Sequence, residues 1–430
     1  MAANPEWKGK TELTSWKEIA EFLEVSVRTA QRYESDLSLP VRRLGGEKGG
    51  RVAATVADLT TWKARNASAK WWQNQRLLQT YAVSVTAVSL ILALVIARDL
   101  QMHWSVGKPH MANWESSTLV VKDERGRELW RYLFPWRAYL VPPLPAWHGD
   151  LDGDGQIESL IPYFHDQRES EGAFLYAFSE SGAQIWRMEP KSIVADRQAQ
   201  FDRLYVLREY KVFDSPQRDG TKWVAAAFVH HYEFPSLLLV VDSKGKVRGE
   251  YWHSGHLNSL HVGDLDRDGK AEIVAAGTSR GYSQAVLEVF DAELVAGAET
   301  LPPGHPNQLI GFAPGTEKAR VRFERSRLNR LTAHFNMAYK IDGGNLPGDA
   351  FQVSVREAFA TGAGYLVYII NPDLTLTRVT ASESLRNSYV EYSMKNPSAK
   401  PLGPDDLENL RTGFHVEWAG GAVAEAPPRP

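Results

Sequence analysis

At 430 residues with a formal net charge of −3, the chain has the length of two or three domains, each able to bury a core of its own. Cysteine is absent, which excludes disulfides, zinc–thiolate sites and cysteine nucleophiles. Residues 1–79 hold thirteen Lys and Arg against nine Asp and Glu, a net +4, so the remainder carries −7. A basic N-terminal piece suits polyanions, and an acidic remainder suits cations.

In chain order, Ser15 followed by Glu18 reads as a helix-capping box, and Trp16, Ile19, Ala20 and Leu23 then share one helical face. Glu24-Val25-Ser26 is long enough only for a turn, and Ser26 caps a second helix with Val27, Ala30 and Tyr33 inward. Two short helices joined this tightly predict a helix-turn-helix. Arg28, Thr29, Gln31 and Arg32 fall on the opposite face of the second helix, where guanidinium and amide groups suit base edges. VRRLGGEKGGRVAAT reads as a hairpin wing whose Arg42, Arg43, Lys48 and Arg51 suit phosphates, and LTTWKAR follows as a last helix. GGEKGG lacks the spacing of a phosphate-binding P-loop.

The string LTSWKEIAEFLEVSVRTAQRYE resembles the winged helix-turn-helix of MerR-type regulators and excisionases, with Arg28, Thr29, Tyr33 and Glu34 at matching positions. That resemblance implies double-stranded DNA as partner and transcription regulation as function, and a homodimer would pair two such domains on a two-fold site. Two departures stand out. Glu24 occupies a turn position usually given to Gly, and the long dimerising helix of MerR-type proteins is missing.

Leu77–Ala97 is a near-unbroken apolar run without charge, and at ~1.5 Å per residue it reaches roughly 30 Å as a helix. It predicts a single transmembrane helix and a lipid-bilayer partner. Lys63, Arg65, Lys70 and Arg76 before it, against Arg98 and Lys108 after it, place the N-terminus in the cytoplasm and the C-terminal part outside an inner membrane.

Beyond the span, GDLDGDGQIESLI at 149–161 and GDLDRDGKAEIVA at 263–275 nearly coincide. Asp150, Asp152, Asp154 and Glu158 recur as Asp264, Asp266, Asp268 and Glu272, at loop positions one, three, five and nine. Alternate carboxylates on a curled chain converge, and hard oxygen donors at that density suit Ca²⁺. Gln156 and Lys270, at position seven, would offer a backbone carbonyl. Position twelve is Ile161 or Ala275, so neither loop is an EF-hand.

Three segments, LVVKDERGRELWRY at 119–132, LYAFSESGAQIWRM at 175–188 and LLVVDSKGKVRGEY at 238–251, read as hairpins with a Gly-containing turn. LVYIINPDLTLTRV at 366–379 is a looser copy without the Gly. The first three recur at intervals of about 56 and 63 residues, the size of one small sheet, which predicts repetition of sheets. Asp-rich loops paired with such hairpins resemble FG-GAP or VCBS repeats, as in the β-propeller of integrin α chains. The resemblance implies Ca²⁺ at the eight acidic residues and a propeller-like fold that binds an extracytoplasmic ligand.

No catalytic motif is present, and the chain reads as a non-enzyme. His253, His256 and His261 lie near the second loop, with His230-His231 upstream. Their type suits a transition metal, although strand alternation sends neighbours to opposite faces. The expected organisation is therefore multi-domain: a small α-rich winged helix-turn-helix (1–68), a linker (69–76), a transmembrane helix (77–97), a second linker (98–112), an all-β propeller-like domain (113–418) and a disordered tail (419–430). The function expected is a membrane-anchored transcriptional regulator with a calcium-binding sensor or interaction domain. The alternative is a membrane adhesion or scaffold protein whose N-terminal domain docks a protein.

Overall fold

The computed structural model describes residues 9–44, 51–66, 86, 88–93, 95, 107–138, 144–165, 173–343, 346–358, 364–419 and 423–424, in two compact units, 1–105 and 106–430. In the first, β1 (Glu12–Leu13) leads to α1 (Trp16–Leu23), whose N-cap Ser15 accepts from the Glu18 N–H at 3.2 Å. Glu24 ends α1 in the left-handed region at φ 57°, and Ser26 caps α2 (Val27–Leu37) by accepting from the Thr29 N–H. Next come β2 (Arg42–Leu44), β3 (Arg51–Thr55) and α3 (56–66). Strand β3 pairs antiparallel with both β1 and β2, and Leu13, Ile19, Leu23, Ala30, Val52 and Leu59 close a core between this sheet and the helices.

The second unit is a series of sheets. The first holds β4 (Met111–Glu115), β5 (Thr118–Lys122) and β6 (Glu128–Leu133). The second holds β7 (Trp147–Gly149), β8 (Glu158–Phe164), β9 (Ala173–Phe178) and β10 (Gln184–Met188), followed by a small hairpin of β11 (Val194–Ala195) and β12 (Gln200–Phe201). A third large sheet contains β13 (Tyr205–Asp214), β14 (Lys222–His230), β15 (Ser236–Val241) and β16 (Val247–His253). The fourth begins with β17 (His256–Gly263), β18 (Glu272–Ser279) and β19 (Gln284–Asp291). Strand β20 (Ala296–Ala298) returns in parallel to the edge of the third sheet at β16. Then β21 (Ala319–Phe323) extends the fourth, and α4 (Arg327–Thr332) follows. The last sheet contains β22 (Met337–Asp342), β23 (Phe351–Ala358), β24 (Gly364–Ile370) and β25 (Leu376–Ala381), after which come α5 (Glu383–Lys395) and α6 (Pro404–Thr412). Finally β26 (His415–Trp418) and β27 (Val423–Ala424) complete the fourth sheet.

Core clusters join these sheets in chain order. Trp130, Phe134 and Tyr163 bridge first and second, Trp186, Phe228 and Leu239 second and third, Tyr251, Leu260 and Phe290 third and fourth, and Phe323, Phe351 and Tyr368 fourth and last. The hairpin repeat supplies an interlock between neighbours. Asp242 accepts from the Lys244 and Lys246 N–H groups, a local turn that the Asp side chain favours, and Gly245 sits in the left-handed region at φ 75°. A Cβ on Gly245 would lie 2.5 Å from Trp186 Cγ, and one on Gly182 would lie 2.6 Å from Trp130 Cγ. The aromatic that ends one hairpin therefore seats on the turn glycine of the next.

Several expectations need correction. The chain is mostly β, with seven sheets among the described residues, and its N-terminal unit is not a small α-rich helix-turn-helix: a three-stranded sheet forms part of its core. The C-terminal region is not an all-β propeller either. Its sheets are unequal, α5 and α6 pack on the last of them, and among the described residues no core cluster joins the last sheet to the first. The span Leu77–Ala97 falls mostly outside the described residues. Among those described, no helix is long and apolar enough to cross a membrane, which takes about 20 residues. The one-pass topology and the inner-membrane localisation built on it are withdrawn. Of the tail, Val423–Ala424 pairs with β26.

Candidate cation sites

The two Asp-rich loops join antiparallel neighbours in the same register: Gly149 pairs with Glu158 across β7 and β8, and Gly263 with Glu272 across β17 and β18. In both, the position-nine glutamate opens the second strand, is buried, and turns back to accept the N–H of the position-two leucine, Leu151 at 2.9 Å or Leu265 at 2.7 Å. The loop chain then wraps on its own carboxylates. Asp150 accepts from the Gly153 and Gly155 N–H groups and Asp154 from that of Gln156. In the second loop Asp264 accepts from the Gly269 N–H and Asp268 from that of Lys270.

In the first loop, one oxygen each from Asp150, Asp152, Asp154 and Glu158 lies within 4.8 Å of the others. Oxygens bound to Ca²⁺ at about 2.4 Å lie at most about 4.8 Å apart, so this donor set fits a calcium shell. Burial pushes the Glu158 carboxyl up, the Leu151 N–H opposes it, and the charges of Asp152, Asp154 and Asp150 push it further. Among the described residues no Lys or Arg forms an ion pair with these four carboxylates. Lys108 reaches only the Gly155 carbonyl, at 3.4 Å. A cavity of about 450 Å³ lined by Asp152, Asp154, Asp219 and Asp242, and by Lys244 and Arg248, opens onto the loop, with Arg248 paired to Asp242. The Gln156 amide is turned to Asp154 Oδ2 at 2.6 Å.

The second loop is different. Asp264, Asp266 and Glu272 converge, but Asp268 stands outside that group. Lys318, which sequence reasoning missed, places Nζ 2.7 Å from Asp266 Oδ2, 3.2 Å from Glu272 Oε1 and 2.9 Å from Asp291 Oδ1. Its hydrogen bond holds the Asp266 carboxyl below the usual range. The Lys270 side chain turns away to Glu293 at 3.1 Å, and Arg218 donates to the Gly269 carbonyl. No local pattern marks Lys318, because it lies far along the chain from the loop it completes.

The histidines do not assemble. His256 donates its Nε2–H to the Glu233 carbonyl at 2.7 Å, and burial pushes its pKa down to about 4. His261 stacks on Phe351, His230 meets Asp202, and His231 packs on Phe164. Only His253 joins a buried acidic group, with Nε2 3.6 Å from Glu288 and 3.5 Å from Glu299. The Gly255 N–H donates to His253 Nδ1 at 3.0 Å, which leaves the ring proton on Nε2 and no lone pair there for a metal. Arg320 is the cation of that cluster, 2.7 Å from Glu288 and 3.0 Å from Glu317.

In the N-terminal unit four of the eight expected DNA-contacting residues have partners. Thr29 shares a hydrogen bond with Ser26 at 2.7 Å, Arg32 faces Asp36 at 3.8 Å, and Arg42 and Arg43 pair with Glu12 and Glu34, each at 2.9 Å. Arg28, Gln31 and Arg51 are exposed, and Lys48 lies outside the described residues. Exposed pairs of this kind are weak, and the DNA-binding, helix-turn-helix assignment is withdrawn with the fold that suggested it.

No family model matches the sequence, and no curated protein matches it. Among solved structures, the V. cholerae biofilm matrix protein Bap1 is similar at a TM-score of 0.27 and 13% identity, over 63% of this chain and 45% of that one. BBS1N in its complex with ARL6DN is similar at a TM-score of 0.26 and 11% identity, over 74% of this chain and 91% of that one. This chain thus spans less than half the length of Bap1, and neither likeness is close enough to define the fold.

Proposed function

We propose that residues 106–430 form a calcium-stabilised binding module, a non-enzymatic scaffold of the kind that its FG-GAP-like or VCBS-like loops imply. The observation that carries this reading is the convergence of Asp150, Asp152, Asp154 and Glu158, none of which forms an ion pair with a Lys or Arg among the described residues. Calcium bound there would tie the β7–β8 turn and reduce the mutual repulsion of the four carboxylates. An ion that binds only the folded state adds about 4 kcal/mol of stability at a free concentration a thousand times Kd. Full-length protein should therefore lose melting temperature in chelator and regain it in calcium, by several degrees at least. Asp152→Asn with Asp154→Asn should remove that response; a calcium-dependent rise of the same size in the double variant would defeat the assignment.

A further inference from the structure

The two loops match in ligand type, yet among the described residues only the second has a lysine paired with its carboxylates. We propose that the loop at 264–272 is closed by a tethered cation, the Lys318 ammonium, and excludes calcium, so that of the two only the 150–158 loop takes the ion. This rests on the calcium reading of the first loop.

Stoichiometry of hydrogen bonding carries the argument. An ammonium has three N–H donors, and Lys318 Nζ has three carboxylate partners, Asp266, Glu272 and Asp291, all within 3.2 Å. Its donors are fully used, and they fall on Asp266 and Glu272, two of the three residues that converge in this loop. The backbone presents it there by design of the sheet: the Lys318 N–H donates to Val289 O at 2.7 Å, and its carbonyl accepts from the Ala419 N–H at 2.9 Å. The residue is thereby held between β19 and the chain that leaves β26. Three carboxylate partners hold the positive charge of the ammonium in that place. A divalent ion would have to enter against that charge, with Asp268 outside the converging group. At the first loop Lys108 donates to the Gly155 carbonyl, and among the described residues no lysine forms an ion pair with its carboxylates.

The experiment is the calcium stoichiometry of the full chain by calorimetric titration of metal-stripped protein. Wild type should bind one ion at these loops, Asp152→Asn should abolish it, and Asp266→Asn, which leaves Lys318 in place, should shift its affinity by less than twofold. Lys318→Met should gain a second ion, at least tenfold tighter than any second binding by wild type. Two ions bound by wild type, one of them lost in Asp266→Asn, would overturn the tethered-cation proposal and leave the calcium reading standing. A single ion in folded Lys318→Met would also overturn it. No ion bound by wild type or by Lys318→Met would overturn the calcium reading itself. If Lys318→Met does not fold, the contrast between Asp152→Asn and Asp266→Asn decides.

Discussion

The loops at 150–158 and 264–272 are close copies in sequence, in register and in the hydrogen bond that their glutamate accepts, yet they solve the same electrostatic problem by different means. Crowded carboxylates need a counter-charge. In the second loop the chain itself supplies one through Lys318, whereas in the first the four carboxylates converge beside an open cavity. The local backbone differs as well: Arg267 adopts φ 62° at the position that Gly153 holds in the first loop, and its guanidinium lies 3.7 Å from Asp349. Matching ligand residues thus specify a shape, while the neighbouring strands decide what fills it. Glu357 shows a third solution. It is fully buried and accepts from the Ser326 N–H at 2.9 Å and the Asn336 amide at 2.7 Å, and burial pushes its pKa up to about 7, so near neutral pH it takes up a proton where the second loop has the Lys318 ammonium.

The largest effect that sharpens this contrast concerns Glu357. Its folded pKa is raised above the ordinary 4.5, so its contribution to stability is complete below pH 4.5 and is lost as pH rises through about 7. The loss is on the order of 3 kcal/mol at 1.36 kcal/mol per pKa unit. Chemical denaturation of the full chain in chelator should show stability falling from pH 4.5 to pH 8, and Glu357→Gln should flatten that slope; an unchanged slope would mean that Glu357 does not titrate in this range.

The next effect is that of Lys318→Met on stability without calcium. Breaking a buried ion pair costs roughly 3–5 kcal/mol, and solvent screening at a side chain one quarter exposed reduces this to about 2 kcal/mol. Denaturant midpoints in chelator would measure it, and a loss below 0.5 kcal/mol, within the range of ordinary surface changes, would make Lys318 a bystander.

The smallest effect is a reciprocal exchange in the turns. Arg267→Gly should stabilise by about 1 kcal/mol by relieving a left-handed non-glycine residue, and Gly153→Ala should destabilise by a similar amount at φ 83°. Opposite signs in thermal unfolding would support the shared loop geometry. Equal signs would show that the Arg267–Asp349 contact outweighs backbone strain.

Much of this arrangement is legible along the chain. Ser15 and Ser26 announce the starts of α1 and α2 because a side-chain oxygen satisfies an N–H that the helix cannot. The Gly-containing turns announce the hairpins, and in the looser copy Leu374 takes the left-handed conformation at φ 64° where the glycine is missing. The Asp-rich repeats announce both loops, since their hydrogen bonds run within nine residues. Apolar length and basic flanks, by contrast, led to a membrane span that the described residues do not support, and equal spacing of hairpins led to a propeller where the sheets are unequal.

What the sequence determined by itself was local: helix starts, hairpin turns and the carboxylate spacing of two loops, all governed by contacts between near neighbours. What the tertiary structure alone decided was the counter-charge, the seating of Trp186 on Gly245, the burial of Glu357 and the dispersal of the histidines. These depend on strands remote in sequence meeting in space, and a cation 46 residues from Glu272 leaves no periodic trace that reading along the chain could find.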